Sequence, residues 1–468
     1  MAPFRRGGHQ VGPSSDSVTA VPRVQRGEDS AKGPALIVVG SAEAAKPSPT
    51  TRLIPFGTQL DIGRHPPKNP DPGVRGWVVP DRLVSGRHAV ISHVGRDWEL
   101  TDLDSTNGTV VDGMLAAPKL KLRDGSMLFV GGQVAIFRLL SQSDLENIQA
   151  EIQQPLGPVP TCNPDFARVC SKLKRLAETD GELLLTGETG VGKEVYANAL
   201  HRASGRSGKF VAINCAALPR ELVESELFGY ARGAHSQASV AKAGIIEEAE
   251  GGTLFLDEIG EMPPELQSKL LRFAQDRLLA PVGGTRPRRV DVRILAATSR
   301  TALSTTPEAV GLRQDLAARL GAEPIRLPPL RERREDLGSL IAHFLGTPAK
   351  PFDLAAFQAL CLHHWPGNVR ELQKVISTAE ALGRTSERFG FEQLPQALAV
   401  SSGKLRLAPT GRADRRAAPT AVELEDLIRQ SDGNMMKVAR DLDRKPAVVY
   451  RWAKRFHLNI EAYRKKDS

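Results

Sequence analysis

Two short stretches of this chain carry residues that could do phosphate chemistry. Gly187-Glu188-Thr189-Gly190-Val191-Gly192-Lys193-Glu194 follows the apolar run Leu183-Leu184-Leu185 and leads into a helix-like segment that reaches Ala203. In a strand, glycine loop and helix of this kind, backbone N–H groups can curl around phosphate oxygens with no Cβ in the way. Lys193 adds a cation where the helix dipole already favours anions. The second stretch, Gly251 to Glu258, reads as an apolar strand that delivers two carboxylates at its end. Asp257 is suited to hold Mg²⁺, directly or through water, and Glu258 to orient and polarise an attacking water. Alone, the glycine loop could be an ordinary strand-helix turn and Asp-Glu a solvated strand end. Both together, in this order, point to hydrolysis of ATP with Mg²⁺ as cofactor.

These residues need a scaffold, and the chain is long enough for about three domains that each bury a core. It has 468 residues, 41% of them hydrophobic and 25% charged, as in a soluble globular protein. No stretch approaches the ~20 apolar residues of a membrane span, and Met1 to Ser17 lacks the apolar core of a secretion signal, so a cytoplasmic protein with no membrane partner is expected. Cys162, Cys170, Cys215 and Cys361 are scattered without a Cys-x-x-Cys pair, which suits reduced structural thiols. His363 and His364 have no third ligand nearby in the sequence, so structural roles are expected for them. The formal charge is +9, and residues 404–468 hold 16 Lys and Arg against 9 Asp and Glu. A surplus confined to one end implies an anionic partner there, most simply nucleic acid.

Texture along the chain sets the expected boundaries. Residues 1–33 mix Pro, Gly, Ser and charges without periodicity, a disordered leader. Residues 34–141 alternate short apolar runs with turn signals, an all-β sandwich. A linker that opens on a short polar helix pattern is expected over 142–160, an α/β nucleotide-binding unit over 161–350, a helical unit over 351–400, a basic Pro/Ala-rich linker over 401–419 and an all-α unit over 420–468.

Glu194 stands where Ser or Thr usually ligates magnesium, and Gly-Glu-Thr-Gly-x-Gly-Lys-Glu resembles the loop of the AAA+ domain in bacterial enhancer-binding proteins, the sigma-54 activators. Asn214 to Leu218, Glu224 to Gly229, Gly251 to Pro263, Leu327 to Asp336 and Trp365 to Leu372 resemble the same family, so the likeness covers roughly residues 158 to 400. It implies an α/β AAA+ ATPase with a helical lid. Thr298 and Ser299 would form the first sensor, with Ser299 where Asn usually sits beside the γ-phosphate. Arg370 would be the second sensor, reaching the nucleotide from the lid. Arg313 and Arg319 match the segment that presents arginine fingers to a neighbouring subunit, which implies a homo-oligomer, a hexameric ring by analogy. Six residues apart on one helix, they do not share a face, and plain surface charges are the other reading.

Within the β region, Gly63-Arg64, Val84 to Ala89, Leu103 to Thr109 and Arg123-Asp124-Gly125 resemble, in order, a forkhead-associated (FHA) domain, a phosphothreonine-binding sandwich. The likeness implies that Arg64 and Ser85 hold the phosphate, that Thr106 assists, that Asn107 bonds the peptide backbone and that His88 braces the loops. A guanidinium and short hydroxyls suit a dianion, and the implied partner is a phosphothreonine protein from a Ser/Thr kinase pathway. Gly86 replaces the side chain that commonly follows the serine, and His65 to Gly76 is an insertion with four prolines. At the other end, Val422 to Gln430, Gly433 to Leu442 and Pro446 to Phe456 resemble a Fis-type helix-turn-helix. Val448, Val449 and Trp452 would face its core, and Arg444, Lys445, Arg451, Lys454 and Arg455 would meet DNA at upstream enhancer-type sites.

The loop that grips sigma-54 in this family reads Gly-Ala-Phe-Thr-Gly-Ala. Here it is Gly233-Ala234-His235-Ser236-Gln237-Ala238. His235 is more polar than phenylalanine, Ser236 keeps the hydroxyl without the methyl, and Gln237 restricts backbone that glycine would leave free. Two functions follow. One is a sigma-54-dependent regulator whose ATP-hydrolysing ring remodels sigma-54 RNA polymerase under phosphothreonine control. The other is a DNA-binding FHA/AAA+ regulator that hydrolyses ATP without productive sigma-54 engagement.

Overall fold

The computed structural model describes residues 32–45, 52–67, 71, 73–116, 119–217, 219–234, 240–299, 311–321, 323–346, 350–395, 398, 421–431, 434–442, 446–455, 458 and 463. The expected leader, except Lys32 and Gly33, lies outside these residues, as do the 401–419 linker and positions 235–238 of the altered loop.

Two sheets form the N-terminal sandwich. One has the order Leu53–Pro55, Gly33–Ser41, Gln133–Leu140, Met127–Val130, Thr109–Val111, Met114–Leu115. The other runs Val74–Val78, Gln59–Gly63, Ala89–Val94, Asp97–Asp102, Lys119–Leu122. Alternate side chains meet between them, so Leu36, Val38, Leu60, Ile62, Ile91, Leu100, Leu128 and Phe137 share one core. The proline-rich insertion returns as the strand Val74–Val78, parallel to Gln59–Gly63.

The next stretch opens on the helix that its polar pattern suggested, and that helix is docked. Residues 142–153 are a helix, capped by Ser141 and Asp144 in a reciprocal capping box. Ile148 packs with Ala35, Ile37 and Leu140 of the sandwich and with Cys162 and Ala167 beyond it. Burial of Ile148 together with Asp144 and Glu151 fixes this helix against the body of the protein, where the sequence suggested a linker.

The ATPase unit is a five-stranded parallel sheet in the order Phe210–Asn214, Thr253–Asp257, Arg293–Thr298, Leu183–Thr186, Ile325–Arg326. Its three central strands are buried on both faces, one under a core that includes Ile246, Leu266, Leu270, Phe273 and Leu316, the other under Phe166, Leu173, Tyr196 and Leu200. Ligands of such sheets sit beyond the carboxyl ends of the strands. The glycine loop, Asp257-Glu258 and Thr298-Ser299 all lie there.

The helices Leu337–Leu345, Leu354–Leu362 and Asn368–Leu382 share a core containing Ile341, Phe357, Trp365 and Ile376. The lid therefore begins before the expected boundary at 351, because the apolar face of Leu337–Leu345 packs with the later helices. The same core takes in Val39, Ala42, Ala45, Phe129, Val134 and Ile136 of the sandwich. At the C-terminus, Ala421–Gln430, Met435–Asp441 and Pro446–Arg455 are helices. Leu424, Ile428, Val438, Val449 and Ala453 are buried together, with Trp452 packed against them. Val449 and Trp452 thus sit as the sequence implied. The side chain of Val448 lies outside the described residues, as do those of Arg451, Lys454 and Arg455 and all of Arg444 and Lys445.

Candidate nucleotide site and phosphate-reading loops

The glycine loop needs its glycines for a physical reason. Gly190 has φ +81°, and a Cβ there would stand 2.4 Å from the carbonyl oxygen of Gly367 and 3.1 Å from Cβ of Arg370. The loop is therefore pressed against the lid, and the Arg370 N–H donates to the Gly190 carbonyl at 3.3 Å. Lys193 heads the helix Lys193–Ser204 and is only 6% exposed. Its Nζ donates to Gly187 O at 3.1 Å and to Glu258 Oε1 at 3.4 Å.

Glu258 occupies the left-handed region, with φ +52°, at the end of the strand Thr253–Asp257. This turn aims its carboxylate across the strand ends, where Oε2 accepts from both the N–H and Oγ of Ser299 at 2.9 Å. Serine in place of asparagine therefore still bonds the Glu258 carboxylate. The neighbouring Asp257 Oδ1 accepts the Glu258 N–H at 3.1 Å, and burial pushes its carboxyl above the usual range against the pull of Lys193. Thr298 is buried one residue earlier, and its carbonyl receives the Gly187 N–H. The structure thus brings Lys193, Asp257, Glu258 and Ser299 together.

Glu188 and Thr189 of the loop share a cleft with Ser299, Gly367, Arg370 and Lys374, so Arg370 lies at the loop. A more enclosed, mostly apolar cleft of about 250 Å³ adjoins the loop and is lined by Val159, Val191, Tyr196, Leu340, Phe344 and Val369, among others. It could hold a base and ribose, and the glycine loop could hold the phosphates, so the residues present fit ATP. Magnesium is commonly bound by one or two carboxylates plus phosphate oxygens and water. Asp257 suits that arrangement, whereas Glu194, although in the loop, is exposed. Among the described residues there is no cluster of three His, Cys, Asp or Glu that could hold a metal unaided.

Two partners of Glu188 escaped the sequence reading. Arg331 grips its carboxylate with both terminal nitrogens at 2.6 and 2.8 Å, and Asn368 Nδ2 adds a contact at 3.1 Å. The guanidinium holds the Glu188 carboxyl far down, at about 2. Arg331 and Asn368 lie 143 and 180 residues from Glu188, so no local spacing could have paired them.

Arg313 and Arg319 are not drawn into this site. Arg313 pairs with Asp315 and donates to Ser268 Oγ, and Arg319 donates to Ala274 O. Both are partly exposed on the helix Gln314–Leu320 and its start, where a neighbouring chain could meet them. His363 approaches Glu371 at 3.1 Å and stacks edge-on against Trp365, a structural role.

In the sandwich, Ser85 and Thr106 meet at the loop end. Thr106 N–H donates to Ser85 Oγ at 3.0 Å, and the two hydroxyls lie 3.3 Å apart. Arg64 is exposed beside them, its N–H bonded to Ser85 O at 3.0 Å. Asn107 Nδ2 donates to Leu83 O at 2.7 Å, which ties the two loops. Asp102, absent from the sequence reading, organises the turn by accepting from Ser105 N, Ser105 Oγ and Thr109 Oγ1. The buried His88 accepts the Ser85 N–H at Nδ1 and bonds Gly108 O through Nε2, so it braces the loops in its neutral form.

Burial lowers the pKa of His88, with Asp102 opposing. An unfolded chain therefore binds this proton first, so stability is expected to fall as pH drops below about 6.5, by up to about 1.4 kcal/mol per unit until the folded value is reached, and to be unaffected above. Local hydrogen exchange in Ala89–Val94 between pH 7.5 and 5.5 checks this. A His88→Gln protein that keeps the same pH slope contradicts it.

Comparison with known proteins matches residues 160–326 to the family described as Sigma-54 interaction domain, 331–407 to the AAA+ ATPase lid domain and 60–131 to the FHA domain. Nitric oxide reductase transcription regulator NorR1 of Cupriavidus necator is 38% identical over 397 residues, which span 77% of this chain and 76% of the relative. DNA-binding transcriptional regulator NtrC of Rhizobium meliloti is 48% identical over 217 residues, 45% of each chain. This chain thus spans about three quarters of one curated relative and about half of the other. The crystal structure of NtrX from Brucella abortus in complex with ATP is 31% identical, covers 67% of this chain and 71% of that one, and superposes with a TM-score of 0.46. The chain belongs to the bacterial enhancer-binding proteins, the sigma-54-dependent AAA+ ATPases of transcription regulation, and joins that ATPase to an FHA domain.

Proposed function

We propose that this protein is an ATP-driven, sigma-54-dependent transcription regulator that reads a phosphothreonine protein through its sandwich and holds DNA through its C-terminal helices. The observation that carries the reading is the placement of Glu258 between Lys193 and Ser299 at the strand ends. There it can take a proton from a water attacking the γ-phosphate, while Lys193 and the loop N–H groups stabilise charge on the phosphates. Bound magnesium, held by Asp257, would neutralise phosphate charge. Arg313 and Arg319 would reach a neighbour's nucleotide in a ring. The basic C-terminal helices would grip duplex DNA, with affinity that falls as salt rises.

A regulator that hydrolyses ATP without engaging sigma-54 is the less favoured reading, because the match to the sigma-54 interaction domain runs through the altered loop at 233–238. An in vitro open-complex assay with sigma-54 holoenzyme tests the function, and ATP-dependent opening is the expected result. The polar tip should make that opening weak. Restoring His235→Phe, Ser236→Thr and Gln237→Gly together is expected to raise sigma-54-dependent transcription while the ATPase rate stays level, since none of the three belongs to the nucleotide-binding loop. If the native tip works as well as the restored one, the altered residues do not limit coupling.

A further inference from the structure

The sandwich reaches the nucleotide cleft itself. Two arginines extend from it into the ATPase unit. Arg52, just before the strand Leu53–Pro55, is 2% exposed, and its Nη2 donates to Pro160 O at 3.1 Å and lies 3.6 Å from Asp336 Oδ1. Pro160 and Asp336 both line the apolar cleft beside the glycine loop. Asp336 in turn accepts from Thr161 Oγ1 at 2.7 Å and Cys162 N at 2.8 Å, so Arg52 braces the segment that forms one cleft wall. Arg138, on the strand Gln133–Leu140, pairs with the buried Glu335 at 2.9 Å.

Asp336 and Glu335 end a short charged run that returns to the phosphate loop. Within it, Arg333 donates to Val191 O at 2.8 Å and stacks over Phe166, and Arg331 clasps Glu188. The run is thus anchored on the sandwich at one end and on the glycine loop at the other. Backbone packing at this junction is close: a Cβ on Gly338 would lie 2.0 Å from Val39 O and 2.3 Å from Ala45 O, and the Phe352 N–H donates to Ala42 O at 2.7 Å.

A buried pair of this kind is a poor device for stability alone. Desolvating both ions offsets most of their attraction, and Arg52 Nε has no hydrogen-bond partner. Apolar side chains would close the seam at least as well. What the pair adds is a fixed position for the cleft wall.

We propose that Arg52 of the FHA sandwich is a positioning residue for the nucleotide site, acting through Pro160 and Asp336, so that the sandwich and bound nucleotide are energetically coupled through residues 330–336. The inference rests on nucleotide binding by the ATPase unit and needs no phosphopeptide. Coupling of this sort is reciprocal: what strengthens the seam strengthens nucleotide binding, and nucleotide tightens the seam.

The test uses the full chain and a fluorescent ADP analogue. Arg52→Ala is expected to weaken ADP binding about tenfold and to raise KM for ATP more than it lowers kcat, with partial rescue in Arg52→Lys. Arg388→Ala serves as the control, because Arg388 also bridges lid and sandwich, through Glu43, but does not line the cleft. It should lower the melting temperature and leave ADP affinity within about twofold of wild type. An Arg52→Ala protein that melts lower yet binds ADP like wild type overturns the proposal. Should that variant fail to fold, hydrogen exchange on the native chain decides. Added ADP is expected to slow exchange in Gly33–Ser41 and Gln133–Leu140, and no change there overturns the proposal. A native chain that binds no ADP at all would instead sink the ATPase reading, and the inference with it.

Discussion

Glu258→Gln is expected to bind ATP with near-native affinity and to lose turnover by about 10²-fold or more, the loss that follows removal of a positioned general base. The substitution changes little else in the site. Glutamine keeps the length of the side chain, and its amide oxygen can still accept from Ser299 N and Oγ, the bonds that hold the native carboxylate at 2.9 Å. What disappears is the charge 3.4 Å from Lys193 Nζ and the capacity to take a proton. Losing the anion leaves Lys193 freer to serve the phosphates, which is why binding should hold while chemistry fails. Lys193→Ala is expected to behave in the opposite sense, losing nucleotide affinity first. Titration with a fluorescent nucleotide, run beside steady-state hydrolysis, separates the two. Equal hydrolysis by wild type and Glu258→Gln would remove Glu258 from the mechanism, whatever the geometry suggests.

The residues of this site were legible in the sequence because each belongs to a local pattern: a glycine loop between strand and helix, and carboxylates at a strand end. The site's support was not. Arg331 and Glu188 are 143 residues apart, Asn163 and Glu335 172 apart, and Thr161 and Asp336 175 apart, so only the folded chain pairs them. The sandwich shows the same division. Its inward residues alternate as a strand should, yet Ala35-Leu36-Ile37-Val38-Val39 is apolar without a break. An unbroken run of that kind signals a strand buried on both faces. Leu36 and Val38 fill the sandwich, while Ala35 and Ile37 meet Ile148 and Val39 meets the lid core. The same burial explains the helix at 142–153. Its polar pattern showed a short helix before a linker, but the few buried positions that dock it carry little signal on their own. The family likeness located the loop at 233–238 but could not say how Gln237 alters its motion, since that depends on a partner surface absent from this chain's own sequence.

Arg64→Ala is expected to weaken binding of phosphothreonine peptides by about ten- to a hundred-fold, equivalent to roughly 1.5 to 3 kcal/mol for one charge-assisted contact. Arg64 is exposed at the end of the sandwich, and its own backbone N–H is tied to Ser85 O, so its guanidinium starts from a fixed root next to the hydroxyls of Ser85 and Thr106. Those hydroxyls already share a hydrogen bond, and a phosphate entering between them would replace one weak neutral bond with two bonds to a dianion. Ser85→Ala should therefore lose less than Arg64→Ala, because it removes a neutral donor rather than a cation. Arg64→Lys tests geometry against charge. Lysine keeps the cation but offers no planar fork, so it should recover only part of the affinity. Titration of a degenerate phosphothreonine library against the three variants ranks them. A wild-type protein with no preference for phosphorylated over unphosphorylated peptides would reduce the sandwich to a structural body. Its hold on the nucleotide cleft through Arg52 would then be the function that remains for it.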